Sequence, residues 1–376
     1  MILGENISKV YNNSKDIQKV YSYGKLVWEK QNSEDIDYTT TPFTITAVDN
    51  PATVRFLCND GFTIKTKKNN GTWEEKTIYS DYGFNQMRLD IGDVLYISAY
   101  SPKYEFRGIE IDLAFGQVDV SGNIFSLCYG DDFVGKTELP RHFSQFFERC
   151  NIRNANNLIL PATTLIDGCY GYMFRGCTNL ITAPSLPATT LASKCYQYMF
   201  SGCSNLTQTP ELPATILANS CYKGMFEGCT NLVKIYEYKI THTPEIWHYE
   251  SILPATTLAE SCYEDMFYGC INLVSTLTLP AITLKSHCYD GMFYGCTSLT
   301  TAPHLIARTL SPSCYRDMFY GCTNLTYLTC GAKTFADDAL TNWMGEIDTY
   351  GVFKCYYDSY EELQPTIPKK WSVEFI

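Results

Sequence analysis

CYQYMFSGCSNLTQTPELPAT, running from Cys195 to Thr215, decides how this chain folds, because it keeps returning with small changes. Its core, CYxxMFxGC, begins at Cys169, Cys195, Cys221, Cys262, Cys288 and Cys314, in steps of 26, 26, 41, 26 and 26 residues. Six copies at one period, with one step 15 residues too long, are the signature of a solenoid. Within a copy, Leu186-Pro-Ala-Thr-Thr-Leu191 reads as extended, since Pro and the β-branched pair disfavour helix. Cys195 to Phe200 has helical spacing: Cys195, Met199 and Cys203 share one face, and Tyr196 and Phe200 form the adjacent pair. Gly202, matched by Gly176, Gly228, Gly269, Gly295 and Gly321, is placed to end that helix in the left-handed conformation. Such a short helix could not form alone, so stacked copies must bury one another's Cys, Met, Phe and Leu.

The long step marks an insertion near 233–252, where the usual Leu206-to-Leu212 interval stretches to Leu232-to-Leu253. It carries Tyr236, Tyr238, Trp247, His248 and Tyr249. An aromatic-rich insertion in one repeat is a common place for a contact; a loop folded back on the repeats is the plain alternative.

Outward from the repeats, residues 126–160 read as a linker and N-terminal cap. Phe146-Phe-Glu-Arg-Cys150 matches the back half of MFxGC, and His142 stands where the first Cys would be. Residues 38–125 alternate short apolar runs with turn signals such as Asn59-Asp-Gly61 and Asn69-Asn-Gly71, which predicts a β-sandwich. Its strands are expected at 43–48, 52–58, 62–67, 73–79, 87–91, 94–100, 106–113 and 118–127. Residues 1–30 form a β-hairpin module with an internal echo, Ile7-Ser-Lys-Val-Tyr11 against Ile17-Gln-Lys-Val-Tyr21. A lone hairpin is marginal. Val10, Tyr11, Val20, Tyr21 and Trp28 are therefore candidates for attachment to another subunit or protein, with packing on the next domain the open alternative. Residues 331–376 abandon the repeat and read as a C-terminal cap, with a closing helix at Ala339–Met344, strands at 352–355 and 371–375, and Trp343, Phe353 and Trp371 as its plug.

The bulk numbers exclude several classes. A formal net charge of -11 argues against nucleic acid as the main partner. No run of about 18 apolar residues is present, so no membrane span is expected. The N-terminus lacks a basic stretch followed by an apolar one and reads as carrying no secretory leader. The total of 17 cysteines is odd, and those in the repeats fall eight apart, a spacing that suits neither zinc knuckles nor a disulfide along a helix. Buried free thiols in a reducing compartment are the simplest account. No HExxH, GxSxG, phosphate-cradling loop or dinucleotide fingerprint occurs. No catalytic residue, metal site or cofactor is expected, and the chain is read as no enzyme.

One feature points to binding. The residue before the repeat glycine is Arg175, Ser201 and Glu227 in three copies, but Tyr268, Tyr294 and Tyr320 in the others. Stacked coils would line these tyrosines up, as a stripe to stack on sugars or dock a protein, or else to pack against the C-terminal cap.

The CYxxMFxGCTNL…LPATTLA pattern resembles the BspA-like leucine-rich repeats of surface proteins from gut Bacteroides and from phages that infect them. The likeness covers about 150–330 and departs from the pattern at the insertion and at Ile306, where Pro is lost. Residues 117–134 and the GVF…IPKKWSVEFI ending resemble segments flanking such repeats, and Ile7–Glu29 is similar to short N-terminal elements of phage virion and tail proteins. The resemblance implies adhesion or virion-surface display without enzymatic activity, and carries over no ligand residues. The expected fold is mixed α+β: the hairpin module, the β-sandwich, then a leucine-rich-repeat-type solenoid over 161–330 with end caps. The expected function is that of a phage virion protein, a fibre or surface decoration assembled in the host cytoplasm. Its N-terminal module would join other virion proteins, and its repeats would meet a host-surface glycan or protein. A homo-oligomer is expected, with a trimer as first guess. A bacterial cell-surface adhesin is the alternative. An enzyme with a repeat arm would need a catalytic constellation in 38–125, and none is seen.

Overall fold

The computed structural model describes residues 9–13, 16–22, 25–29 and 37–376, apart from 59–60, 80–85, 101–105, 112–115, 140–141, 243–246, 252 and 275–276. It comprises two compact units, Met1–Asp37 and Tyr38–Ile376. In the first, β1 (Lys9–Asn13), β2 (Asp16–Ser22) and β3 (Lys25–Glu29) form an antiparallel sheet in chain order. The register sets Val10 opposite Val20 and Val20 opposite Trp28, so these three occupy one row across the sheet.

The second unit opens with β4 (Phe43–Ala47), β5 (Ala52–Cys58), β6 (Phe62–Lys68), β7 (Glu74–Ile78), β8 (Gln86–Leu89), β9 (Val94–Ala99), β10 (Phe106–Ile111) and β11 (Val118–Asn123). Inward positions alternate, as a half-buried strand requires: Phe43, Ile45 and Ala47 on β4, and Ala52, Val54 and Phe56 on β5, are all buried. Strands β10, β5 and β8 make one sheet. The other runs β12-β11-β4-β9-β6-β7, where β12 (Ile152–Ile159) lies inside the stretch read from sequence as linker and cap. Its Asn-rich sequence is poor in β-formers. Tertiary partners override that: β12 pairs parallel to β11, and Arg153 grips Asp119 with both Nε (3.0 Å) and a terminal nitrogen (2.7 Å) while Asn154 adds a third bond.

The repeats correct the expected helices. Over Cys195–Cys203 the chain makes consecutive turns with every fourth residue left-handed: Lys194 (φ 54), Tyr198 (φ 52) and Gly202 (φ 75). Backbone donors alternate between two jobs. Met199 and Cys203 reach back three residues to Tyr196 and Phe200. Tyr196, Tyr198, Phe200 and Gly202 instead donate to Cys221, Lys223, Met225 and Glu227 of the next coil. An α-helix would need all of these donors for itself. The neighbouring coil offers acceptors that a short isolated helix lacks, so the turn ribbon prevails. The predicted faces nonetheless hold, and Cys195, Tyr196, Met199, Phe200 and Cys203 are buried. The closing helix expected at Ala339–Met344 is likewise a run of turns, with Asn342 and Glu346 left-handed. Among the described residues the α-helices are α1 (Ser126–Tyr129) and α2 (Tyr360–Leu363), so the chain is mostly β with few helices rather than evenly mixed.

Coils stack in register. Tyr170, Tyr196, Tyr222, Tyr263, Tyr289 and Tyr315 form one buried ladder with centroids 5.7–6.0 Å apart. Phe174 through Phe319 form a second at 5.5–5.7 Å. The long step leaves both undisturbed: Tyr222 and Tyr263 are 5.8 Å apart, Phe226 and Phe267 5.6 Å. The extra residues leave the stack as an antiparallel hairpin, β13 (Glu237–His242) with β14 (Trp247–Ser251). Divergent turns of the same design adjoin the stack. At one end Phe143, Gln145, Phe147 and Arg149 donate to Cys169, Gly171, Met173 and Arg175; at the other, Tyr315, Asp317, Phe319 and Gly321 donate to Ala339, Thr341, Trp343 and Gly345. Beyond lie β15 (Tyr327–Cys330), β16 (Gly351–Cys355) and β17 (Trp371–Phe375), all parallel, with Trp343, Phe353 and Trp371 buried. One continuous apolar core extends from Phe43 to Trp371.

Candidate binding surface

The ribbon fixes which positions must be apolar and which are free to vary. In each coil the residue before the repeat glycine accepts a backbone bond from the preceding coil's glycine. Gly176, Gly202, Gly228, Gly269 and Gly295 donate to Ser201, Glu227, Tyr268, Tyr294 and Tyr320, each at 2.7 Å. The backbone makes that bond whatever the side chain, so the fold does not dictate the residue there. Arg175 pairs with Glu148 one coil away at 3.6 Å. The tyrosines stack closer than the core ladders, Tyr268 on Tyr294 at 4.5 Å and Tyr294 on Tyr320 at 4.8 Å, with planes within 14°. Tyr320 lies over Gly345, where a Cβ would meet its ring at 2.6 Å, and its hydroxyl donates to Glu346 at 3.3 Å. The far end of the stripe thus packs on the last coil, while Tyr268 is 36% exposed. Because the rings cover one another, sugar stacking on their faces is closed along most of the stripe, and their edges and hydroxyls are what solvent meets.

A neighbouring charged column escaped the sequence reading. Lys223 donates to Glu264 at 2.6 Å, and Asp290, 4% exposed, is held by His287 at 2.9 Å and by Arg316. Asp265 sets its carboxylate over Gly291 of the next coil. Burial, reinforced by Glu264, raises its carboxyl to about 7. Tyr198 lies across Gly224, and burial together with Asp265 and Glu227 pushes its hydroxyl up to about 12. Aligning the two variable positions inside CYxxMF between copies is the signal that exposes this column: Lys223, Glu264, Asp290, Arg316 for one, and Tyr198, Gly224, Asp265, Gly291, Asp317 for the other.

Of the remaining candidates, Tyr236 is half-buried just before the hairpin, and its backbone N–H donates to the Thr209 hydroxyl at 2.9 Å. Tyr238 falls on β13, and Trp247, His248 and Tyr249 on β14, with Trp247 opposite His242 and His248 opposite Thr241. The attachment candidates Tyr11 and Tyr21 lie on β1 and β2, opposite Lys19 and Leu26.

The cysteines of the repeats, Cys169 to Cys322, together with Cys330 and Cys355, are free of disulfides and buried. Thiols of Cys177, Cys203, Cys229, Cys270, Cys296 and Cys322 each donate to a Phe carbonyl at 3.0–3.2 Å. Burial pushes them up, Cys322 to about 12, which keeps them as unreactive thiols. Among the described residues no group of three or more His, Cys, Asp or Glu is arranged to hold a metal ion.

Parallel coils that share a core and repeat a Cys-Tyr, Met-Phe, Gly-Cys frame define a repeat protein of the leucine-rich class. A family model for the BspA type leucine rich repeat region matches in six copies over residues 119–246 and 251–343, more than half of the chain, and the chain belongs to that family. The match begins at residue 119, on β11, well upstream of the 150 at which the sequence likeness starts. No curated protein and no solved structure matches it. Repeats of this type point to surface adhesion and recognition through binding. Among the described residues, no helix is long and apolar enough to cross a membrane.

Proposed function

We propose that this chain is a non-enzymatic recognition protein of a phage particle, a fibre or surface decoration. In this reading the sheet of β1–β3 joins it to other virion proteins, and the repeats form a solenoid, closed by the turns at 142–150 and 338–347, that meets the host surface. The observation carrying the recognition part is the Tyr268–Tyr294–Tyr320 stack, exposed at Tyr268, in a column where the backbone alone makes the inter-coil bond. Aromatic side chains there serve no need that Arg175, Ser201 or Glu227 fail to meet in their own coils. The phage part rests on the likeness of Ile7–Glu29 to short N-terminal elements of virion proteins.

Two measurements test this reading. Mass spectrometry of purified particles should find the chain there at stoichiometric level; its presence only in a bacterial envelope fraction would favour a cell-surface adhesin instead. A Tyr268→Ala/Tyr294→Ala/Tyr320→Ala variant that is folded by circular dichroism should lose binding to target cells, and full retention would remove the stripe from the binding surface.

A further inference from the structure

The geometry points to a cleft between residues 333–341 and α2 as a slot for an extended, basic segment of a partner polypeptide. This goes beyond the recognition reading above, which uses the tyrosine stripe and gives the cleft no role. The cleft has a volume of about 680 Å³, within the ~300–1,000 Å³ of ligand sites. Phe335, Asp337 and Leu340 line it from the last coil, and Glu362 of α2 and Thr366 just beyond line it from the cap. It lies where the turn ribbon stops. In each CYxxMF copy the tyrosine donates its N–H to the next coil, Tyr315 to the Ala339 carbonyl at 3.0 Å. Leu191, Leu258 and Leu310 do the same from the LPATTL segment, Leu310 to Thr334 at 2.8 Å. One coil on, Leu340 takes the place of Tyr315 and Phe335 that of Leu310. Among the described residues neither N–H meets a backbone acceptor. The side chains match: Tyr315 and Leu310 are buried, whereas Leu340 and Phe335 are half-buried. The cleft thus presents the main-chain donors and apolar groups that each inner coil presents to the rung of chain after it.

What the inner coils hold at these positions is a segment of polypeptide, and that is the class the donors select. A strand supplies carbonyls at a fixed spacing together with an apolar side chain to cover Phe335 and Leu340; a sugar supplies neither. Charge narrows the class further. Lys333 is engaged, with its ammonium 3.1 Å from Asp358 and over the Tyr356 ring. Asp337 and Glu362 line the cleft without a cationic partner among the described residues. The segment that fits therefore carries Lys or Arg beside its apolar residue. The chain's own rung at 307–313, ARTLSPS, has that composition and already seats one coil earlier, where His287 donates to Pro312. A second copy stacked head to tail is disfavoured as the occupant. Its first turn would have to offer the Phe146 carbonyl, which already accepts from Ile109 of the sandwich at 3.1 Å.

The test uses the full chain, hydrogen–deuterium exchange read by mass spectrometry, and a fluorescein-labelled ARTLSPS peptide read by fluorescence anisotropy at about 0.15 M salt, where distant charges are screened. In the free chain, segment 333–341 should exchange faster than 308–316, whose donors are engaged. Equal protection would overturn the open slot. The peptide should bind and slow exchange in 333–341 while leaving 308–316 as it was. Maltoheptaose, a neutral sugar, should do neither; protection by the sugar and not by the peptide would overturn the ligand class. Asp337→Lys/Glu362→Lys alters two exposed side chains and should weaken peptide binding about tenfold. Glu74→Lys/Glu75→Lys, the same charge change on β7, should alter it less than about twofold. Equal weakening by the β7 pair would mean attraction to net charge alone and would overturn the slot. Self-association of the chain that Asp337→Lys/Glu362→Lys undoes would seat a second copy in the cleft and overturn a separate partner. No peptide binding by a chain that still binds its target cells would reject the slot and leave the recognition reading standing. Peptide binding by a chain that binds no cells would do the reverse.

Discussion

Asp265 shows how a single residue can be tolerated at a cost to the fold. It takes the left-handed backbone (φ 55) that the ribbon demands every fourth residue, and it buries part of its carboxylate beside Glu264 and Asp290. Its folded pKa of about 7 lies above the value of 3.8 expected in the unfolded chain. A raised carboxyl contributes stability that is complete below pH 3.8 and is lost as the pH climbs through 7. At pH 8 the ionised group is therefore a net burden. Asp265→Asn keeps the shape, suits the left-handed conformation and removes the charge. It should stabilise the chain at pH 8 by roughly 1 kcal/mol once solvent screening is allowed for, and by almost nothing at pH 4. Urea unfolding at the two pH values checks this; an equal shift at both would assign the effect to backbone preference instead of charge.

The turn ribbon is the element on which everything else hangs, and its glycines differ in what they cost to replace. At Gly228 an added Cβ would meet nothing closer than the Gly202 Cα at 3.9 Å, so Gly228→Ala carries only the left-handed penalty, about 1–2 kcal/mol. At Gly224 the Cβ would fall 2.1 Å from the Tyr198 ring, so Gly224→Ala must also displace that ring and should lower the urea midpoint further. Equal midpoints for the two would show that Tyr198 yields freely. The β13–β14 hairpin behaves oppositely. Since the ladders cross the long step without widening, excising residues 237–251 should shift the midpoint less than Gly228→Ala does. Much of this element was legible in Cys195, Met199 and Cys203. An α-helix turns about 100° per residue, so after eight residues the second Cys drifts about 80° from the first, whereas a four-residue turn returns it to the same face. Both are buried, and the repeated Cys-to-Cys interval of eight already favoured the period of four. The helix expectation arose because an i, i+4 pair fits either period. Other elements were beyond sequence reading. Strand β12 depends on Asp119, more than 30 residues away, and the Ala339–Ile347 turn replaces both Cys and the Gly with Ala, Ile and Glu. The Tyr268 column could be seen because one offset served every copy. The Tyr320–Glu346 contact could not, because it requires knowing that residues at different offsets in adjacent coils come together.

At the scale of the molecule, the unit from Tyr38 to Ile376 shares one core, and its stability should respond to pH as a sum over ionisable groups that the core keeps neutral. Two ladders of buried thiols and one of buried tyrosines run through it. Burial pushes Cys169, Cys221, Cys288, Cys322 and Cys330 up to about 12 from an unfolded value of 9.0, and Tyr170, Tyr196, Tyr263, Tyr289 and Tyr315 are raised as well. Above pH 9 the unfolded chain gives up thiol protons that the folded chain retains, so the unfolded state binds fewer protons and stability falls as pH rises. Below pH 9 both states are protonated, and the contribution is fully present. Each such group costs about 1.4 kcal/mol per pH unit between its two pKa values. With two thiols in each of the six repeats, the summed slope is roughly 17 kcal/mol per unit, more than an ordinary domain stability of about 5–15 kcal/mol. The urea midpoint should therefore be level from pH 7 to 8, fall steeply above 9, and vanish by about pH 10. Cys→Ala replacements at Cys203, Cys229 and Cys270 should flatten the alkaline fall in proportion to the thiols removed, whatever they do to stability at pH 7. An unchanged alkaline slope in that triple variant would mean that the thiols are not the groups holding their protons, and that the tyrosine ladder alone sets the limit.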